Sequence, residues 1–301
     1  MSIVRGPAPG DGAPAWLPAA PFLFILIWAT GYVVAKAAAP YAEPLSFLVV
    51  RYVGVIALMV VLALIARAPW PVRRIDVLHL AVAGIGIQAI YLGGVWVAVK
   101  HGMPAGVAAL IVNLQPVLTA LAGGATGERV RMRQWAGLVL GLAGVALVVS
   151  NKLGGAGMGW GPVLLAVLAL LAITAGTLYQ KRFMPTFDLR TGQVVQFAAS
   201  VIVTLPFALA FESFRIEWNA PVVAAMLWSI VVLSGGGISL LFLMIRHGAA
   251  TEVTSFMYLV PAVTALMAWA MFGERLGVVA VLGMVVTIVG VALVVRRPAR
   301  R

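Results

Sequence analysis

The chain has no cysteine, three histidines and nine acidic residues among 301. Without cysteine there is no disulfide framework, thiolate metal site or cysteine nucleophile to consider. His79, His101 and His247 fall near the ends of apolar runs and lack metal-ligand spacing, so no metal is expected. No glycine-rich phosphate loop ending in Lys-Ser/Thr occurs, which argues against direct use of ATP and gives no reason to expect a cofactor. The acids Asp11, Glu43, Asp76, Glu128, Asp188, Glu212, Glu217, Glu252 and Glu274 all lie in loops, in the tail or at the ends of apolar runs. A proton antiporter for cationic drugs needs an intramembrane carboxylate for which proton and drug compete, and none sits at mid-run. An intramembrane enzyme would need clustered acids, histidines or a metal at one face, so no catalytic residue is assigned.

What the chain has instead is apolar length. Hydrophobic residues make up 63%, charged ones 10%, and the mean hydropathy is +1.07, which excludes an ordinary water-soluble domain. About 20 residues cross a bilayer as a helix. Apolar runs near residues 21–38, 45–65, 77–99, 103–125 and 134–149, then 162–180, 191–211, 222–245, 250–272 and 276–295, predict ten such spans, five on each side of a glycine-rich break. The net charge of +12 is a topology signal, not a nucleic-acid signal, because the basic residues occupy short gaps between runs. With ten spans, fifteen Lys and Arg fall on one side and five on the other, leaving Arg51 inside a span. That bias predicts an inner (plasma) membrane protein with both termini in the cytoplasm.

The sequence also repeats. A shift of 146 residues aligns GVALVV at Gly144–Val149 with Gly290–Val295, and Gly127-Glu128-Arg129 with Gly273-Glu274-Arg275. A shift of 145 aligns PVLTAL at Pro116 with PAVTAL at Pro261, and Gly31 and Lys36 with Gly176 and Lys181. Because each half holds an odd number of spans, the second half is predicted to lie inverted about an axis in the membrane plane. The expected organisation is a tail at 1–20, a first repeat at 21–150, a linker at 151–160, a second repeat at 161–296 and a basic tail at 297–301.

WATGYVVAK in the first span, and the proline-containing fourth and ninth spans that each close on Gly-Glu, give nearly the whole chain a family resemblance. It resembles the EamA-type drug/metabolite transporters. The resemblance implies an all-α integral membrane fold of ten transmembrane helices in two five-helix inverted repeats around a central cavity, with helices five and ten packed outside. It also implies export of amino acids or other small metabolites.

Pro116 and Pro261 fall within spans four and nine, where a proline frees the carbonyl four residues earlier and marks a hinge or a binding site. Asn113 and Gln115 flank one proline, Ser255 and Tyr258 the other, and these are candidate substrate-binding residues. Trp28 and Thr30, together with Tyr32, lie in span one, Gln88 and Tyr91 share a face of span three, and Thr174 and Thr177 share one of span six. These too are expected at the cavity, although Trp28 or Trp96 would also suit an interfacial anchor. Gly235, Gly236 and Gly237 in span eight and Gly93-Gly94 in span three are candidate hinges or close-packing points. The glycine faces of spans five and ten favour packing. For Arg51 two readings stand: contact with a substrate carboxylate, or snorkelling to the headgroups, the latter favoured by the neutral Gln196 at the equivalent place. Glu252, Glu128 and Glu274 are candidates for coupling or gating, with helix-end stabilisation and loop-end ion pairing as the plainer roles. The expected partners are a small-molecule substrate and the lipid bilayer, with no nucleic acid; a homodimer is left open.

Overall fold

The computed structural model describes residues 19–125, 132–153, 159–237, 240, 257–274 and 277–295. The described residues are nearly all helical, with one isolated β-bridge and no strand. The helices are α1 Ala20–Ala38, α2 Pro44–Ile65, α3 Arg74–Gly84, α4 Tyr91–Lys100, α5 Ala105–Val112, α6 Gln115–Ala125, α7 Met132–Leu153, α8 Trp160–Phe183, α9 Leu189–Phe211, α10 Ala220–Leu227, α11 Val260–Phe272 and α12 Val278–Val295. Six stretches, Ala20–Ala38, Pro44–Ile65, Arg74–Lys100, Ala105–Ala122, Trp160–Phe183 and Leu189–Phe211, are long and apolar enough to cross a membrane. Shorter apolar helices, Trp135–Ser150, Ala220–Gly236, Val260–Phe272 and Val278–Leu293, occupy the other four predicted places.

Local chemistry sets many of the ends. Prolines stand in the first turn of α1, α2 and α10, where the missing N–H costs nothing. Asp188 caps α9 by accepting the Arg190 N–H, and Asn219 caps α10 by accepting that of Val222. Gly273 closes α11 at φ 65°, a left-handed conformation that favours glycine.

Among the described residues, predicted spans three and eight carry one kind of interruption, and spans four and nine another. Residues 85–90 join α3 to α4 as a π-helical turn, and residues 228–236 continue α10 in the same form. A shift of 146 residues carries Ile85–Ile90 onto Val231–Gly236, so both repeats place the widened turn at one position. Such turns leave backbone groups less tightly paired and occur often at functional sites. Span four breaks at Asn113 and Leu114 and restarts as α6 with Pro116 second, while α11 starts with Pro261 second after a 3₁₀ turn at Met257–Leu259. Both prolines therefore begin helices, where their geometry is tolerated, instead of kinking helix interiors.

The internal twofold is visible in contacts between equivalent residues, which must lie on its axis. Tyr52 meets Phe197, 145 residues later, with ring centroids 5.4 Å apart. Thr287 Oγ1 lies 3.5 Å from the carbonyl of Gly141, 146 residues earlier. Around that second pair α7 and α12 bring backbone against backbone at their glycines: a Cβ on Gly144 would stand 2.5 Å from the Gly283 carbonyl, and one on Gly290 would stand 2.6 Å from the Gly141 nitrogen. The glycine faces of spans five and ten are thus packing faces, as expected from sequence.

Candidate functional site

The central cavity, of about 260 Å³, lies between α1, α2, α4, α8, α9 and the two π-helical turns. Trp28, Tyr32, Tyr91, Trp96 and Phe197 supply its aromatic wall, and Gln88, Gln180, Gln193 and Gln196 its amides. No carboxylate borders it among the described residues. A larger hollow of about 530 Å³ between α11 and α12 is lined by Leu266, Trp269, Val285 and other apolar side chains, with nothing to orient a polar ligand.

The polar groups are held by a short network. Tyr32 and Tyr91 place their hydroxyls 3.2 Å apart, and Tyr52 donates to the Gln88 carbonyl at 2.7 Å within the π-helical turn. Gln196 donates to Gln180 at 2.6 Å and is fixed from behind by Gly84, where a Cβ would come 2.5 Å from the Gln196 Cα. Gln193 Oε1 is buried without a hydrogen-bond partner. Gln115 donates to Thr177 Oγ1 at 2.8 Å, and Thr177 in turn donates to Ile173 of its own helix.

Of the residues expected at the cavity, Trp28, Tyr32, Gln88, Tyr91 and Thr177 border it, and Gln115 stands behind Thr177. Three others do not border it. Thr30 donates to the Ile27 carbonyl and accepts from Trp228 Nε1 at 2.9 Å, which turns it toward the π-helical turn after α10. Thr174 bonds back to the Leu170 carbonyl at 2.7 Å, and Asn113 is buried at the α5–α6 break with Nδ2 unpartnered. Ser255, Glu252 and Glu128 lie outside the described residues, as does the side chain of Tyr258. Gly236 ends its π-helical turn and the adjacent Gly237 borders the cavity. Gly94 is a packing point, since its Cβ would meet the Leu165 carbonyl at 2.9 Å.

Trp96 is not an interfacial anchor: it is buried, stacks on Phe47 at 4.7 Å and borders the cavity. Arg51 departs furthest from expectation. It does not snorkel to a headgroup; it retains 7% of its surface, borders the cavity and leaves Nε unpartnered. The reason is its register beside the axis, since it immediately precedes Tyr52 as Gln196 precedes Phe197. Gln180, Gln193, Gln196 and Ser234 were missed as lining residues because one glutamine or serine in an apolar run reads as a helix contact.

One end of the bundle is tied across the repeats. Ala42 and Ile216 form a β-bridge, Glu43 accepts from the Ser213 N–H and hydroxyl and the Arg215 N–H, and Glu212 accepts from the Leu45 and Ser46 N–H groups and the Ser46 hydroxyl. Burial pushes the Glu43 carboxyl upward, but the three donated hydrogen bonds outweigh it and hold the group below its ordinary range. At the same end Glu274 pairs with Lys36 at 3.3 Å, which is loop-end ion pairing.

A helical bundle with an internal twofold, broken spans and a polar-lined cavity at the axis defines a multi-pass membrane transporter. The chain belongs to the EamA-like transporter family, whose pattern matches residues 17–150 and 160–296. It is 27% identical over 278 residues to the uncharacterized transporter YvbV of Bacillus subtilis (strain 168), covering 90% of this chain and 88% of that one. It is 26% identical over 275 residues to the uncharacterized inner membrane transporter YedA of Escherichia coli (strain K12), covering 91% and 88%. A probable amino-acid metabolite efflux pump of Escherichia coli (strain K12) is 25% identical over 276 residues, covering 90% and 83%. A crystal structure of a protein 19% identical shares the fold with a TM-score of 0.63, over 93% of this chain and 96% of that one.

Proposed function

We propose that the protein exports a small neutral or zwitterionic metabolite, an amino acid, across the inner membrane by alternating access, with both termini cytoplasmic. The observation that carries this reading is the cavity on the internal twofold: its wall is aromatic and amide-rich, and among the described residues it holds no acid. At about 260 Å³ it falls below the range of roughly 300–1,000 Å³ common for drug-sized ligands, which favours a small metabolite over a bulky drug. The unpaired Gln193 Oε1 is an acceptor for an ammonium group, and the aromatic rings suit an apolar side chain. Two relatives are described as probable amino-acid metabolite efflux pumps, which supports the same class.

The test is flux of a labelled panel of neutral, aromatic and basic amino acids in proteoliposomes, with and without an imposed proton gradient. Neutral or aromatic members are expected to move, and flux indifferent to the gradient marks a facilitative carrier. Strict gradient dependence would turn attention to Glu252, and no flux for any member would overturn the substrate class. Efflux of a drug or another metabolite is the second reading, and the cavity's size weighs against the larger members of that class.

A further inference from the structure

Arg51 is a permanent charge in an unusual place. Its guanidinium is buried beside the internal axis and faces a cavity that contains no acid among the described residues. Its Nε has no hydrogen-bond partner, and no described carboxylate lies within ion-pair distance. An arginine in the membrane normally pairs with an acid, reaches a headgroup or serves a substrate pathway. Here burial removes the headgroup route, and the described surroundings offer aromatic rings and amides. The second repeat solves the same position with a neutral residue, because Gln196 occupies the equivalent place and satisfies itself on Gln180. The fold therefore does not require a cation at this place in the repeat, and the asymmetry is a property of the cavity.

We propose that Arg51 is the anion anchor of the carrier: its planar fork takes the free carboxylate of the cargo, and the rest of the molecule lies along the rings of Trp28, Tyr91 and Trp96. Arginine suits this task because it stays charged and presents two parallel N–H donors that match a carboxylate. The consequence is a head-group rule. Acids enter, whereas their amides and esters do not, because they leave the guanidinium without its charge-assisted pair. Cationic cargo is repelled. This rests on the cavity being the transport site, as the amino-acid reading does, but it does not require the cargo to carry an amine.

The test uses matched sets of leucine, phenylalanine and tryptophan, each as the amino acid, its amide and its des-amino carboxylic acid. Flux in proteoliposomes and ligand-induced thermal shift in detergent are read for the wild type, Arg51→Gln and Arg51→Lys. Arg51→Gln copies the residue used by the other repeat and removes a buried charge that no described carboxylate pairs, so it is expected to insert and to melt no lower than wild type. The expected result is transport of acids over amides in the wild type, a loss of about tenfold or more in Arg51→Gln, and partial retention in Arg51→Lys, which keeps the charge but not the fork. Flux of des-amino acids without the amino acids, lost in Arg51→Gln, would sustain the anchor and overturn the amino-acid reading. Equal flux of amino acids and amides, unchanged in Arg51→Gln, would overturn the anchor and leave the amino-acid reading standing. No response to any acid in the wild type overturns the anchor as well.

Discussion

At the scale of single residues, what separates cavity groups from their neighbours is where each polar side chain spends its hydrogen bond. Thr174 and Thr177 stand three apart on α8, but Thr174 returns its hydroxyl to its own helix while Thr177 also accepts the Gln115 amide beside the cavity. Thr177→Val should therefore orphan a part-buried donor, at a cost of about 1–3 kcal/mol, and lower flux severalfold. Thr174→Val should leave initial rates within about twofold, because a neutral bond to the same helix is worth little net. Initial-rate measurements on both variants at matched insertion check the pair, and equal losses would mean that Gln115 does not order the wall. The sequence already pointed to Trp28, Gln88, Tyr91 and Thr177, because polar and aromatic residues in apolar runs are conspicuous. It could not separate them from Thr30 or Thr174, since a hydroxyl that satisfies itself within four residues looks the same in sequence as one aimed at a ligand.

At the scale of helices, the ends and breaks matter more than the spans. Glu212 ends α9 and gives its carboxylate to the free N–H groups that open α2, a cap supplied from the other repeat. Glu212→Ala should lower stability by about 1–3 kcal/mol, seen as a lower melting temperature in detergent. Glu43 adds a pH dependence to the same clasp. Its native pKa lies below the unfolded value, so its contribution is fully present above the ordinary glutamate range and is lost as pH falls through the lowered native value. Melting temperature against pH should thus fall on the acid side more steeply in wild type than in Glu43→Gln, and parallel curves would remove Glu43 from the clasp. Neither contact was legible beforehand, because the partners are 166 to 172 residues apart. The six membrane-length stretches were legible, since bilayer thickness imposes apolar length. The π-helical turns were not, because an extra residue in a helical turn leaves no mark on hydropathy.

At the scale of the whole molecule, the repeat was legible down to individual pairs, yet the structure is not symmetric, and the asymmetry suits the alternating access proposed above. Gly31 and Leu233 form one equivalent of the pair Gly176 and Ile87. A Cβ on Gly176 would approach Ile87 Cγ1 to 2.8 Å, whereas one on Gly31 stays 3.9 Å from the Leu233 methyls. If the two halves exchange conformations about the internal axis, the loose seam between α1 and the π-helical turn after α10 tightens in the other state, and the tight seam between α8 and the turn after α3 loosens. The absence of cysteine makes this testable without background. Gly31→Cys with Leu233→Cys, and separately Ile87→Cys with Gly176→Cys, place thiols across each seam, and a disulfide demands Cβ atoms roughly 3.5–4.5 Å apart. The Ile87–Gly176 pair should oxidise readily in the resting protein, and the Gly31–Leu233 pair slowly, at a rate that rises when substrate drives turnover. Either bridge should stop flux, and reduction should restore it. Free flux with both bridges formed would show that these seams do not move, and the cavity would then have to open by another route.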